Sequence, residues 1–272
     1  MGMRHILSQP HRAILEQLAW SRVLLDFDFN GTLAPIVSNP GAVRLRARTR
    51  RLFTLVAERY PCVVISGRVR SDVLARVDGI PVIEVVGSHG LEPNDNVVRV
   101  TALVRPWVRF LHERLDVLPG VIVEDKGLSV SVHYRKAPQK RRASLAIWEA
   151  ALALGSDVRI VSGKLTVDLL PDDAPHKGMA LRRLREGLAD TAVYVGDDAT
   201  DEDVFEMDEP ERLLSIRVGR DPASAAAYYL RTQSEVDDLL DVMARLRAKP
   251  GQVRFRGIAD RGPRQKPYRG FD

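Results

Sequence analysis

Val23-Leu24-Leu25-Asp26-Phe27-Asp28-Phe29-Asn30-Gly31-Thr32-Leu33 begins as an unbroken apolar run, meets two carboxylates two residues apart, and turns on a glycine. A short, branched run without polar alternation is the pattern of a strand buried on both faces. The same pattern predicts strands at Cys62–Ser66, Val82–Val86, Ala192–Val195 and Leu213–Val218. Helical spacing fills the intervals at Leu45–Arg59, Val69–Val77, Gly178–Leu188 and Asp201–Met207, and an amphipathic helix is expected at Pro10–Trp20. Strands alternating with helices call for right-handed crossovers. The expected core is therefore α/β, a doubly wound, Rossmann-like parallel sheet covered on both faces. Ligands of such sheets sit beyond the C-terminal strand ends, so chemistry is expected just after each strand.

The stretch from Thr101 to Asp172 breaks this rhythm. A helix near Leu103–Val117 precedes strands at Val121–Lys126 and Leu128–Arg135, and a second helix near Gln139–Leu154 precedes a hairpin, Val158–Val161 with Lys164–Leu169, turning on Ser162-Gly163. This reads as an inserted αββαββ unit. Residues 1–100 and 173–246 are then the core domain, 101–172 a cap, and 247–272 a basic, disordered tail. Leu128, Val130, Val132 and Tyr134 share one face of the inserted sheet, while Ser129, Ser131, His133 and Arg135 share the other. An apolar face suits the unit's own helices, and a polar face suits hydrogen-bonding hydroxyls or plain water.

Of 272 residues, 45% are hydrophobic and 28% charged, which excludes disordered, collagen-like and coiled-coil proteins. No apolar run reaches the roughly 20 residues of a membrane helix, so no membrane partner is expected. No secretory signal is expected, and the single cysteine, Cys62, suits a reducing cytoplasm and core packing. The net charge of +5 comes from the tail, where residues 247–272 carry eight Lys/Arg against two Asp. The folded body is thus nearly neutral, and no nucleic-acid partner is expected for it. A monomer is expected.

Four segments at strand ends carry candidate chemistry. A carboxylate in Asp26–Asn30 can attack phosphorus or hold a hard cation. Ser66-Gly67-Arg68 offers a hydroxyl and free N–H groups at a helix start, a cradle for phosphate. Lys177 brings a point positive charge. Gly196-Asp197-Asp198-Ala199-Thr200-Asp201 gathers acids that a cation would neutralise. Each taken singly has a plainer account as a helix cap or a solvated charge. Their succession at four strand ends favours a phosphate site.

These segments resemble the haloacid dehalogenase superfamily of phosphatases, and within it the trehalose-6-phosphate phosphatases. The resemblance rests on Gly31-Thr32-Leu33-Ala34-Pro35-Ile36, Ile65-Ser66-Gly67-Arg68, Gly87-Ser88-His89-Gly90-Leu91-Glu92 and Glu124-Asp125-Lys126-Gly127. Val132-His133-Tyr134-Arg135, Gly163-Lys164 with Asp168, Lys177, and Gly196–Glu202 complete it. The resemblance implies hydrolysis of trehalose 6-phosphate with Mg²⁺ through an aspartyl-phosphate. It implies that Ser66, Gly67 and Lys177 bind phosphate, and that Mg²⁺ lies among Asp28, the Asn30 carbonyl and Asp197, with Asp198 or Asp201 orienting that shell. Glu124, Lys126, Arg135 and Asp168 would contact the sugar, although Asp168 stands where the family has Glu. His89 would contact substrate or serve as a hinge, and Arg68 would orient the phosphate loop or simply solvate a helix face.

One departure matters. The family's first motif is Asp-x-Asp-Gly-Thr. Aligned on Gly31-Thr32 without a gap, Asp28 is the nucleophile and Asn30 replaces the second Asp, which in the family is the acid and base. Aligned on Asp26 and Asp28 instead, both acids return, but Phe29-Asn30 becomes an insertion that displaces the metal-binding carbonyl. The gapless alignment is favoured on that geometry. It leaves two expectations: a slow phosphatase, or a sugar-phosphate-binding sensor that has lost turnover. A related disaccharide phosphate stays open as the substrate.

Overall fold

The computed structural model describes residues 2–37, 40–93, 95–207 and 211–248. In chain order the strands are β1 (Arg4–His5), β2 (Val23–Phe27), β3 (Cys62–Ile65) and β4 (Glu84–Val86). Then come β5 (Ile122–Asp125), β6 (Val130–His133), β7 (Val158–Gly163) and β8 (Thr166–Pro171). The last are β9 (Thr191–Gly196), β10 (Leu213–Val218) and β11 (Tyr228–Leu230). Seven of them form one sheet in the order β1-β11-β10-β9-β2-β3-β4, and every pairing is parallel. Connections run outward in opposite directions from β2 and β9. The crevice above that pair is where such sheets bind ligands.

Period-two alternation in β2 divides the core between the sheet's two faces. Val23, Leu25 and Phe27 pack with Phe53 and Val56 of α2 (Ala47–Ala57), and with Leu239 and Leu240 of the last helix. On the other face, Leu24, Val63, Ile65 and Tyr194 pack with Ala180, Leu181 and Leu184 of α6 (Lys177–Leu188). Asp26 lies on that second face, between Leu24 and Asp28 in the pleat. The helices α1 (Arg12–Ala19), α3 (Arg70–Val77), α7 (Glu202–Phe205) and α8 (Glu235–Leu246) complete the layers. Cys62 is fully buried within β3, as core packing requires.

The excursion between β4 and α6 holds α4 (Val97–Leu115), α5 (Lys140–Leu152) and an antiparallel sheet in the order β5-β6-β8-β7. This is the expected αββαββ sequence. Val130, Val132, Val167 and Leu169 turn to Val104, Trp107, Leu111 and Ile147 of the two helices. The opposite face is not left to water: Ser129, Ser131 and Asp168 are all buried, and Asp168 reaches groups of the parallel-sheet body. The α/β architecture, with its separate antiparallel sheet, is the expected one.

Three expectations need correction. The hairpin turns on Lys164-Leu165, because Gly163 pairs with Thr166 and Leu165 takes a positive φ of 64°. Ser162 and Gly163 belong to the strand, since their pairing keeps Val167 and Leu169 on the apolar face. β1 and β11 escape the apolar pattern because they are two and three residues long. Arg247 is not tail: its guanidinium is buried, donating to the carbonyls of Ala19, Ser21 and Arg59 and lying 3.9 Å from the Tyr60 ring centroid. The tail expected from there onward lies, after Ala248, outside the described residues.

The Phe27–Phe53 contact joins β2 to α2 edge-on, with ring centroids 5.3 Å apart. Phe53 is wholly buried. Phe53→Ala is expected to cost about 3–5 kcal/mol in urea unfolding, as a large ring removed from a close-packed core does.

Candidate active site

Asp28 is the first residue past β2, held there by its N–H donating to the Val195 carbonyl at 2.8 Å. Lys177 opens α6 and projects its ammonium between two carboxylates, at 2.8 Å from Asp28 Oδ1 and 2.7 Å from Asp201 Oδ1. All three side chains are buried. Burial by itself would strip the proton from Lys177, but Asp201 and Asp28 outweigh it and hold the ammonium charged. Asp201 accepts four hydrogen bonds: from Lys177 and the Tyr194 hydroxyl on one oxygen, and from the N–H groups of Asp197 and Asp198 on the other. So many donors keep it ionised despite burial.

That arrangement divides the acidic run by role. Asp198 caps the short helical turn after β9, accepting from the Thr200 N–H and hydroxyl, and Asp201 closes the capping box. Asp201, named from sequence among the groups around the metal, spends its oxygens on Lys177, Tyr194 and the Asp197-Asp198 backbone, which suits orienting that shell and not ligation. Asp197 differs. It is buried, its Oδ2 meets Lys164, and its Oδ1 has no hydrogen-bond partner. Burial, with Asp198 adding repulsion, pushes its carboxyl up to about 7. Burial likewise raises Asp28 well above the usual range; Lys177 opposes the rise, and Asp201 and Asp197 add to it. The cluster is short of positive charge, and an orphaned buried oxygen faces into it. A divalent cation would fit that deficit, and the residues that would hold it are Asp28 and Asp197 through their carboxylates and Asn30 through its backbone carbonyl.

Gly31 makes this proximity feasible. Its φ is +86°, and a Cβ there would lie 2.2 Å from Asp197 Oδ2. Any side chain would drive the β2 loop off the acid.

Asp26 lies one strand step below. It is fully buried, neither carboxylate oxygen has a partner, and burial raises its carboxyl far above the usual range. Lys177 hydrogen-bonds Asp28 and not Asp26. Asn30, where the alternative alignment sees an insertion, sits in a tight turn closed by Gly31 N–H to Ala34 O at 2.7 Å and Ala34 N–H to Phe29 O at 2.8 Å. Its side-chain carbonyl accepts from Arg68 Nε at 2.9 Å.

Ser66 ends β3, fully buried, its hydroxyl accepting from Arg68 N–H. Gly67 follows with His89 against it: a Cβ at Gly67 would lie 2.4 Å from His89 Cε1. Ser88 and His89 both adopt left-handed backbone, φ 48° and 60°. Such non-glycine geometry costs about 1–3 kcal/mol and persists where neighbours enforce it. Glu92 does so, accepting from Ser88 Oγ and Arg70 N–H.

Opposite this rim stands the polar face of the small sheet. Lys126 spans the two bodies, donating to the Gly67 carbonyl at 3.1 Å and to Asp168 at 3.3 Å. Asp168 also accepts from Ser131 and lies 3.5 Å from His89 Nε2. Burial opposes its ionisation, but Lys126, His89 and Ser131 hold the carboxyl well below its usual range. Glu124 pairs with His133 at 2.6 Å. Arg135 lines the same cavity while donating to the Lys164 carbonyl. The cleft between them, about 390 Å³, is lined from below by Asp28, Asn30, Ser66, Lys177 and Asp197, and from above by these polar residues. All the residues expected from sequence thus reach one place except Asp26, which lies beneath it, and Asp201, which lies behind it.

Sequence reading missed Lys164, His133 and Tyr194 as site residues. Lys164 stood within a quoted motif, but placing the turn two residues early hid that it caps the hairpin and reaches Asp197.

A family model described as trehalose-phosphatase matches residues 26–234. The trehalose-phosphate phosphatase of Mycobacterium avium (strain 104) is 37% identical over 195 residues, 66% of this chain and 50% of that protein. That of Mycobacterium tuberculosis (strain H37Rv) is 33% identical over 243 residues, 82% of this chain and 62% of that one. The chain thus spans about half the length of the first of these relatives. Among solved structures, the C-terminal domain of C. albicans trehalose-6-phosphate phosphatase superposes with a TM-score of 0.77 at 21% identity, covering 90% of this chain and 98% of that one. A trehalose-6-phosphate phosphatase related protein gives 0.67 at 26%, covering 82% and 97%. With the family model spanning both sheets and relatives above 30% identity, the chain belongs to the trehalose-phosphatase family.

Proposed function

We propose that the chain hydrolyses trehalose 6-phosphate to trehalose and phosphate through a phosphoryl group carried on Asp28. One observation carries the reading: the buried Asp28–Lys177 pair, backed by Asp201, opens into the same cavity as a sheet face of charged and polar groups. Asp28 attacks phosphorus, which splits a very slow hydrolysis into two displacements. Lys177, held charged and immobile, stabilises the equatorial oxygens, with the Ser66 hydroxyl and the Gly67 N–H beside it. Mg²⁺ bound by Asp28, Asp197 and the Asn30 carbonyl would neutralise phosphate charge and fix its orientation. The family kinship supports this cofactor, as do the orphaned Asp197 oxygen and the crowded carboxylates.

The small sheet acts in this proposal as the substrate-reading cap of residues 101–172. Lys126, Asp168, Glu124, His133 and Arg135 present charged donors and acceptors to the sugar, and a site built that way rejects analogues lacking the hydroxyl. The cap also excludes water while the phosphoryl group transfers. Among the described residues no helix is long and apolar enough to cross a membrane. The second reading, a sugar-phosphate sensor without turnover, draws on Asn30 alone, and phosphatases as relatives favour turnover.

Phosphate release measured over trehalose, sucrose and glucosylglycerate phosphates tests the substrate. Trehalose 6-phosphate is expected to lead, Asp28→Asn to release nothing, and chelation to stop release until Mg²⁺ is restored. Equal rates on all three esters overturn the cap's role. Lys126→Ala removes a charged hydrogen bond of about 1.5–3 kcal/mol and should raise KM for the sugar ester about 10- to 100-fold.

Asp168 supplies a pH prediction. Its folded carboxyl titrates below the unfolded value of about 3.9, so its contribution to stability is present above that pH and is lost as pH falls. Thermal melts of wild type and Asp168→Asn should therefore differ most near neutrality and converge in acid below about pH 4.

A further inference from the structure

The proposed reaction needs a proton moved twice: onto the oxygen leaving the ester, and off the water that discharges Asp28. Asn30, beside the nucleophile, ionises in neither direction. Arg68 Nε donates to its Oδ1 at 2.9 Å, and Arg68 is anchored by Asp72, which Arg76 grips at both oxygens. The carbonyl end of the amide is thus occupied, and what it offers an ester or a water is N–H. Asp197, whose Oδ1 has no hydrogen-bond partner, is the acid assigned above to the cation, and the remaining carboxylates of the cavity are engaged. Asp72 lies between two arginines, Asp198 accepts from Thr200, Asp168 accepts from Ser131 and Lys126, and Glu124 pairs with His133. His89 makes no close hydrogen bond, its Nε2 lying 3.5 Å from Asp168 Oδ2, and its ring is packed behind Gly67.

We propose that Asp28 holds its phosphoryl group as a long-lived acyl phosphate, and that the chain takes that group most readily from other acyl phosphates. The inference rests on Asp28 being the nucleophile proposed above. In loading, an Asp28 oxygen bonds to phosphorus as the bond to the bridging oxygen breaks. From an acyl phosphate the electron pair leaves on a carboxylate, and no proton is required. From a sugar ester it leaves on an alkoxide, which must take a proton from solvent. In discharge, water oxygen bonds to phosphorus, the pair of the Asp28–phosphorus bond returns to the carboxylate, and the water proton goes to solvent because Asn30 cannot accept it. Losing a positioned acid and base costs about 10²–10⁴-fold at such steps.

The full chain, with Mg²⁺, is mixed with acetyl phosphate or with trehalose 6-phosphate, quenched in acid and weighed intact, with free phosphate followed in parallel. Acetyl phosphate is expected to add one phosphoryl group to wild type and none to Asp28→Asn. Asn30→Asp, checked for native circular dichroism, is expected to discharge it about 10²–10⁴-fold faster. The lifetime of the wild-type adduct carries the test even where that variant misfolds. No adduct on wild type alongside rapid turnover of trehalose 6-phosphate overturns the inference and leaves the phosphatase reading standing, and an adduct that then gathers on His89→Gln identifies His89 as the base. An adduct from acetyl phosphate with neither binding nor turnover of trehalose 6-phosphate supports the inference and overturns the substrate reading. An adduct that persists on Asp28→Asn overturns both.

Discussion

An ammonium group sealed between two carboxylates organises this molecule. Lys177 is nearly inaccessible to solvent, and a lone buried charge of that kind would be ruinous. Asp28 and Asp201 make it tolerable, and in doing so they tie together the ends of β2 and β9 and the start of α6. Such a pair is poor evidence for stability, since apolar side chains of equal volume often serve as well. Its value is positional. Three elements must arrive together, or a charge is stranded, so one constraint couples the register of the sheet to the aim of Asp28.

The surrounding shell repeats this economy of donors. Asp201 spends its oxygens on Lys177, Tyr194 and two backbone N–H groups, which leaves Asp197 as the acid with an uncommitted oxygen. Gly31 has room for nothing beyond hydrogen at the closest approach. On the far side, Lys126 makes one bond to the Gly67 carbonyl and one to Asp168, so a single side chain ties the small sheet to the loop after β3. Lys164, bonded to Asp197 from the hairpin tip, adds a second link between the two bodies.

Much of this was legible in the residues themselves. Runs such as Cys62–Ile65 and Leu213–Val218 could be strands buried on both faces and little else, and Ser129 to Arg135 displayed its two-faced alternation openly. What escaped was set by distance along the chain. β1 and β11 are too short to show a period, and exist because β10 offers β11 an edge and β11 offers one to β1. The turn at Lys164-Leu165 depends on cross-strand register, which the local Ser-Gly pair misrepresented. The separate duties of Asp197, Asp198 and Asp201 are indistinguishable in an acidic run; only the direction of each carboxylate separates them. Asp26 and Asp28 share a strand face, and their difference is depth, which no spacing encodes.

Arg247 has a consequence for where the described chain ends. Its guanidinium is bolted to carbonyls that precede β2 and β3, at the N-terminal edge of the parallel sheet, whereas the catalytic rim is the C-terminal edge. The two edges are separated by a strand's length, roughly 15–20 Å. The described chain therefore ends at the edge of the sheet opposite the cavity, pinned there by a single guanidinium.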